Sequence, residues 1–290
     1  MQDFVHLHVH SQYSILDGQA SIQKLVDKAI DDGMRGIAIT DHGNMFGIKE
    51  FWNYVKKKNG ARRDKVKQTS AAVAELQAVI DGGEATEEQK TELAKLKAEL
   101  DSLPKEDFKA IIGCEVYVAR RGLQFKEGKH DQSGWHLILL AKNKTGYKNL
   151  IKIVSKAWTE GFYMRPRTDH AELEKYHEGL ICCSACLGGE IPKKIEAGDL
   201  AAAEEAVRWH KSLFGEDYYL ELQLHKATVE HANHEFYPQQ KVVNKHLIEL
   251  SQKLGVKLVC TNDVHFVDEA HAEAHDRLIC LSTSKDLDDP

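Results

Sequence analysis

The strongest constraint on the fold is an alternation that runs the length of the chain: short apolar runs separated by segments whose apolar residues recur at helical spacing. The runs occupy 4–10, 36–40, 110–118, 135–140, 179–184, 218–224 and 256–261. Runs such as Gly36-Ile37-Ala38-Ile39-Thr40 are apolar at successive positions, as suits a parallel strand covered on both faces. Between the first two runs, Ile22, Leu25, Val26, Ala29 and Ile30 form one helical stripe, with Ser21 as cap and Gly33 as stop. Further helices are expected at roughly 46–58, 147–158, around Lys194 and Ala206, at 239–254 and at 269–281. Seven such strands alternating with helices predict a closed parallel sheet, an α/β barrel, in one unit covering 1–290.

One region departs from this texture. From 61 to 109 the chain reads as long polar helices: Val73, Leu76 and Ile80 mark one stripe and Gly82-Gly83 a break. Thr86 to Gln89 then form a capping box, and Leu93, Leu96 and Leu100 mark a second stripe closed by Pro104. This is a helical hairpin inserted into a barrel loop, and it carries no candidate ligand set.

Composition excludes several classes. The net charge of -6 supplies no overall positive field for nucleic acid, so any such contact must be local. No apolar run is long enough to span a membrane, and the first residues enter a strand without the pattern of a signal peptide, so the cytoplasm is the expected location. Six cysteines, three of them crowded at Cys182, Cys183 and Cys186, do not resemble the framework of a small secreted fold.

Sixteen histidines are many for this length, and their placement matters more than their number. In Phe4 to His10, alternation puts His6, His8 and His10 on one face and Val5, Leu7 and Val9 on the other. An isolated pair of this kind is often a solvated edge. Here Asp41-His42 and Asp263-Val264-His265 also follow apolar runs, where α/β barrels build their sites, and Glu115 sits late in one. His136 breaks that rule by leading its run. Imidazole and carboxylate together are ligands for transition metals.

These motifs carry a resemblance. His8-Val9-His10 with Asp17-Gly18, Thr40 to Asn44, Gly113-Cys114-Glu115, His136-Leu137, Cys186 to Glu190 and Thr261 to His265 resemble, in order, the polymerase and histidinol phosphatase (PHP) family. The closer likeness is to its branch at the start of bacterial replicative DNA polymerase subunits. The resemblance implies a distorted seven-stranded (β/α) barrel of the PHP type holding two to three divalent transition metal ions, zinc, manganese or iron. It implies that His8, His10 and Asp263 bind a first ion, that Glu115 bridges it to a second held by His136 and Cys186, and that Asp17, His42 and His265 hold a third. Asp263, Glu115 and His10 would then serve catalysis through the bound ions.

Clustered dications bring the pKa of water toward neutrality for in-line attack on phosphorus. The resemblance thus implies a 3′-5′ exonuclease that proofreads a DNA 3′ end, its partners being the rest of the polymerase subunit and the replisome. The polymerase core itself is absent from this sequence, and 286–290 reads as a domain boundary. Arg165 and Arg167 are candidate phosphate contacts. Cys182 and Cys183 read as buried strand residues, and His6 as supporting. Two alternatives stand: a metal-binding scaffold that stabilises the polymerase without hydrolysis, and a small-molecule phosphatase of the histidinol phosphatase type.

Overall fold

The computed structural model describes residues 4–15, 17–83, 85–227 and 234–287. Among them lie strands β1 (Gly36–Ile39), β2 (Lys109–Val118), β3 (Trp135–Ala141), β4 (Arg167–Thr168), β5 (Leu180–Cys183), β6 (Tyr218–Leu222) and β7 (Lys257–Cys260). They form one curled sheet in the order β1-β2-β3-β5-β6-β7, with β4 paired to β2 beyond the end of β1. The α/β barrel architecture expected from the sequence is present, with two differences that bear on the site.

The first concerns strand direction. β3 runs antiparallel to both neighbours, pairing Tyr117 with His136 on β2 and Ile138 with Cys183 on β5. The sheet is therefore mixed rather than all-parallel. Because β3 is reversed, its first residues lie beside the last residues of β2 and β5, which puts His136 at the same end as the other candidates.

The second concerns the first segment. The backbone of His6 accepts from Ala38 N and that of Val9 from Thr40 N, so three residues of this segment span two of β1. The strand expected at 4–10 is thus not formed as a ladder, its one bridge being Val9 with Val264, and the extra residue shifts side chains to the other face. Leu7 consequently packs inside the barrel with Ala38, Ile138 and Leu140, and Val9 packs outside with Ile22, Ile37 and Phe51. His8 and His10 point to the interior, whereas His6 turns outward toward Leu25, Lys28 and Met34. The expectation that all three histidines share a face holds only for His8 and His10. Val264 N donates to His8 O and His10 N to Val264 O, so this irregular segment ties the chain after β7 to β1.

Helices cover the outside: α1 (Ile22–Asp31), α5 (Lys144–Thr159), α6 (His170–Tyr176), α7 (Glu190–Glu196), α8 (Leu200–Phe214), α9 (Phe236–Leu254) and α10 (Ala272–Thr283), with the single turn α4 (Gly128–Asp131). Cys114, Val116, Leu139, Cys182 and Leu220 face outward into a core shared with α5, α7, α8 and α9. No helix among the described residues is long and apolar enough to cross a membrane.

The hairpin is present but starts earlier than its composition suggests. α2 runs unbroken from Ile48 to Asp81, and α3 (Glu87–Ser102), opened by the Thr86/Gln89 capping box, folds back along it. Lys65 pairs with Glu99, and Arg62 reaches the carbonyl of Pro104. The barrel helix and the first arm of the hairpin are one helix, because nothing near Gly60 stops it. A Cβ built on Gly60 meets no atom within 4 Å. Gly60→Ala should therefore stabilise the fold by about 0.5–1 kcal/mol. At Gly113 a Cβ would lie 2.6 Å from Leu140 Cδ2 and 2.9 Å from Leu139 O. Gly113→Ala should cost about 1–3 kcal/mol, both changes being read from urea midpoints.

Candidate metal centre

The nine side chains singled out in the sequence meet at one end of the curled sheet. His8 and His10, both fully buried, direct Nε2 to Asp263 Oδ1 at 3.0 and 3.1 Å. Glu115, also fully buried, places Oε1 2.8 Å from His136 Nδ1 and 3.4 Å from His8 Nε2. Its Oε2 touches His42 Nδ1 and lies 3.8 Å from His10 Nε2. Asp17 sits between His42 and His265, with 3.0 Å to the Nε2 of each. Cys186 Sγ lies 3.6 Å from His136 Nδ1. The His10 ring packs against those of His42 and His265, at 4.0 and 4.3 Å, with 5.8 Å between the latter two.

Local backbone places these groups. Asp263 and Ala185, which precedes Cys186, adopt left-handed φ values of 49° and 64°. Such backbone is costly for residues with a Cβ and persists only where surrounding structure holds it. At Ala185 the holding group is Glu221, whose Oε2 accepts the Ala185 N–H at 2.7 Å. At Asp263 it is the pairing of Val264 with His8 and His10.

Hydrogen bonds between the candidate ligands themselves are few: His42 Nε2 meets Asp17 Oδ2 and Cys186 Sγ meets His136 Nδ1. His8 Nε2, His10 Nε2, His42 Nδ1, Asp17 Oδ1, Asp263 Oδ1 and both Glu115 oxygens have no hydrogen-bond partner. Buried carboxylate and imidazole atoms that converge on one another without well-formed hydrogen bonds fit a cation. Three overlapping sets lie within 4.8 Å, His8/His10/Glu115, Glu115/His136/Cys186 and His10/His42/His265, and each could hold a metal ion.

The charges respond to this crowding. Burial would raise the Glu115 carboxyl, but His136 and His42 hold it well below the usual carboxylate range. Asp263 is likewise held low against its burial by His8 and His10. Burial would lower His42, but Glu115 and Asp17 carry it to about 10. His10, beside two other imidazoles, is pushed down to about 3 by burial and by His42.

Sequence reasoning missed the residues that hold the ligands. Glu221 accepts from Thr261 Oγ1 at 2.6 Å and lies 3.0 Å from His8 Nδ1, which leaves Nε2 of that ring for the centre. A polar alternation within a buried run, Glu221 on β6 and then Gln223 just beyond it, is the signal that could have revealed it. Asp41 is buried and accepts from Ser11 N, Ser11 Oγ and Ser14 Oγ, while Ser14 Oγ meets His10 Nδ1 at 3.0 Å. It shapes the loop carrying His10 and does not face the centre.

The two arginines separate. Arg165 is exposed, 5.9 Å from the ring of Tyr117, which stacks toward His42. Arg167 is fully buried, and its guanidinium donates to the carbonyls of Gly161, Phe125, Asp131 and Leu123. It fastens the loops around β4 and cannot reach a phosphate, so that expectation is corrected. Cys182 and Cys183 are buried on β5, as expected. Beside the centre, Trp158 Nε1 donates to Gly43 O, and Phe46, Trp158 and Phe162 form an exposed aromatic row with ring separations of 5.9 and 5.6 Å.

Fold and site together define an α/β barrel with a candidate polynuclear metal centre at one end of its sheet. Residues 6–225 match the family model of the PHP domain, and the chain belongs to that family. It is 39% identical over 283 residues to the DNA polymerase III subunit alpha of Borreliella burgdorferi, covering 97% of this chain and 19% of that protein. It is also 39% identical to the subunit of the same name from Treponema pallidum, covering 99% of this chain and 20% of that protein. The chain thus spans about a fifth of these relatives. Among solved structures, a zinc-bound histidinol phosphate phosphatase of Lactococcus lactis aligns over 97% of this chain and 94% of its own, with 14% identity and a TM-score of 0.36.

Arg167→Met leaves four carbonyls without their donor. It should lower stability by about 3 kcal/mol or more in urea unfolding, while the metal content of the folded fraction stays unchanged.

Proposed function

We propose that this chain is a metal-dependent phosphodiesterase module that removes nucleotides from a DNA 3′ end, proofreading for a polymerase to which it is joined. In this reading 1–290 is one PHP unit with 61–109 inserted in it. The observation that carries the reading is Glu115: a buried carboxylate without hydrogen bonds, facing His8, His10, His42 and His136.

His8, His10 and Asp263 would hold one divalent ion, Glu115 would bridge to a second held by His136 and Cys186, and Asp17, His42 and His265 would hold a third. Zinc, manganese and iron all suit these donors. When bound, such ions supply activation of water and neutralise charge on a phosphodiester. The protein's part is to fix the donors. Glu221 orients His8, Ser14 orients His10, and the left-handed backbone at Asp263 aims its carboxylate between them. Arg165, at the margin, would meet a phosphate, and the Phe46/Trp158/Phe162 row would offer bases a stacking surface.

That aromatic row favours an oligonucleotide over a small phosphate monoester. The scaffold and small-molecule phosphatase readings are separated by assay. Manganese-loaded protein should shorten a labelled primer with a mismatched 3′ end faster than it hydrolyses a monoester. Asp263→Asn should reduce cleavage by about a hundredfold or more with unchanged circular dichroism. Full activity in that variant, or none in metal-loaded wild type, sinks the proposal. Phe162→Ala should raise KM for the primer about fivefold or more, in keeping with a stacking loss of about 1 kcal/mol or more, and leave a monoester unaffected.

Metal loading should also release protons. In the metal-free protein His42 is charged at neutral pH, its pKa having been carried to about 10, whereas a ligating imidazole must be neutral. Adding zinc to chelator-stripped protein at pH 7 in weak buffer should acidify an indicator dye, and acidification should be smaller for His42→Ala.

A further inference from the structure

Glu190 closes the Cys186-Leu187-Gly188-Gly189-Glu190 motif but takes no part in the centre. It lies instead among residues of the outer helix layer. His170 opens α6, Glu190 opens α7, and His210 lies within α8; one nitrogen or oxygen from each falls within 4.8 Å of the others.

The three groups are oriented toward one another. The His170 ring lies flat on Trp209 at 3.9 Å and perpendicular to His210 at 5.9 Å. His210 is 1% exposed, and its Nδ1–H donates to Ala206 O at 2.9 Å. That bond leaves Nε2 of the neutral ring as a free lone pair, and burial keeps the ring neutral by lowering its pKa to about 4 against the pull of Glu190. Glu190 is 5% exposed; Lys194 occupies Oε1 at 2.7 Å and leaves Oε2 free.

Glu190 Oε2 and His170 Nε2 are buried, 3.4 Å apart, and have no hydrogen-bond partner. The hydroxyl of Tyr218, whose ring stacks on His210 at 5.2 Å, is also buried without a partner. Leaving such groups unmet costs about 1–3 kcal/mol each. A shared cation would meet them. Two imidazoles and a carboxylate suit zinc, whose ligands at about 2.0–2.1 Å in tetrahedral array lie about 3.3 Å from one another.

We propose that His170, Glu190 and His210 form a second metal site, mononuclear and of the zinc class, separate from the centre inside the barrel. Solvent or the Tyr218 hydroxyl completes its coordination, and the half-exposed His170 ring marks the approach. The ion joins α6, α7 and α8, which reach this point from three separate stretches of chain. It also anchors the loop carrying Cys186, since His136 N donates to Gly188 O and His136 pairs with Gly189.

The test uses zinc alone on the full chain, with metal content as readout so that the nuclease assay plays no part. Protein stripped by chelator, reloaded with zinc and desalted should hold one equivalent fewer in His170→Ala and in Glu190→Gln than in wild type, with affinity for that equivalent at least about tenfold weaker. A His8→Ala/His42→Ala protein, impaired at the barrel centre, should keep the equivalent and lose it when His170→Ala is added. His170 is partly exposed, so its removal should leave the circular dichroism spectrum intact. Equal zinc content in wild type, His170→Ala and Glu190→Gln overturns the proposal, whatever the barrel centre binds.

Discussion

Everything at the end of this barrel is arranged around a buried negative charge. Glu115 has no exposure and no hydrogen bond, a state that would cost several kcal/mol if nothing positive stood near it. The positive partners are imidazoles, and imidazoles are also ligands. The same packing therefore stabilises the metal-free protein through His42 and His136 and presents converged lone pairs to a cation. The second ring of residues, Glu221, Thr261, Asp41 and Ser14, holds those imidazoles by their remaining nitrogens or by the loops that carry them. The buried hydrogen bonds around the centre serve mainly orientation, and the Glu115 carboxylate at its middle has none.

How the sheet delivers these groups depends on strand direction. β1 and β7 run parallel to their neighbours and hand over His42 and Asp263 just beyond their last residues, which is why those positions are legible from apolar runs followed by Asp and His. His136 is not legible in that way. It leads its run, and only the reversal of β3 brings it beside Glu115, a matter of pairing between distant segments that no local pattern encodes. Its assignment rests on the family motif, and the antiparallel register supplies the physical reason.

Other differences have similar origins. Strict alternation places His6 with His8 and His10, but the extra residue between His6 and Val9 is imposed by bonds to Ala38 and Thr40, which lie outside the segment. Arg167 looks like its exposed neighbour Arg165 in sequence; its four carbonyl partners come from loops 123–131 and 161 folding over it. The helical hairpin is visible in composition, whereas its fusion with the preceding barrel helix is not, because a glycine at 60 is a weak stop when no capping group follows. Patterns within one segment are readable; those that need a partner segment are not.

The bonds between Val264 and the stretch from His8 to His10 link positions more than 250 residues apart. During synthesis the first histidines leave the ribosome long before the residues that will aim and shield them. The sheet can assemble pairwise as each strand emerges, but the pocket cannot close until the final strand arrives, and loop closure over such a distance is slow. Premature release of the chain would thus leave the barrel end without Asp263 and His265, and β6 as an open sheet edge exposed to neighbouring chains.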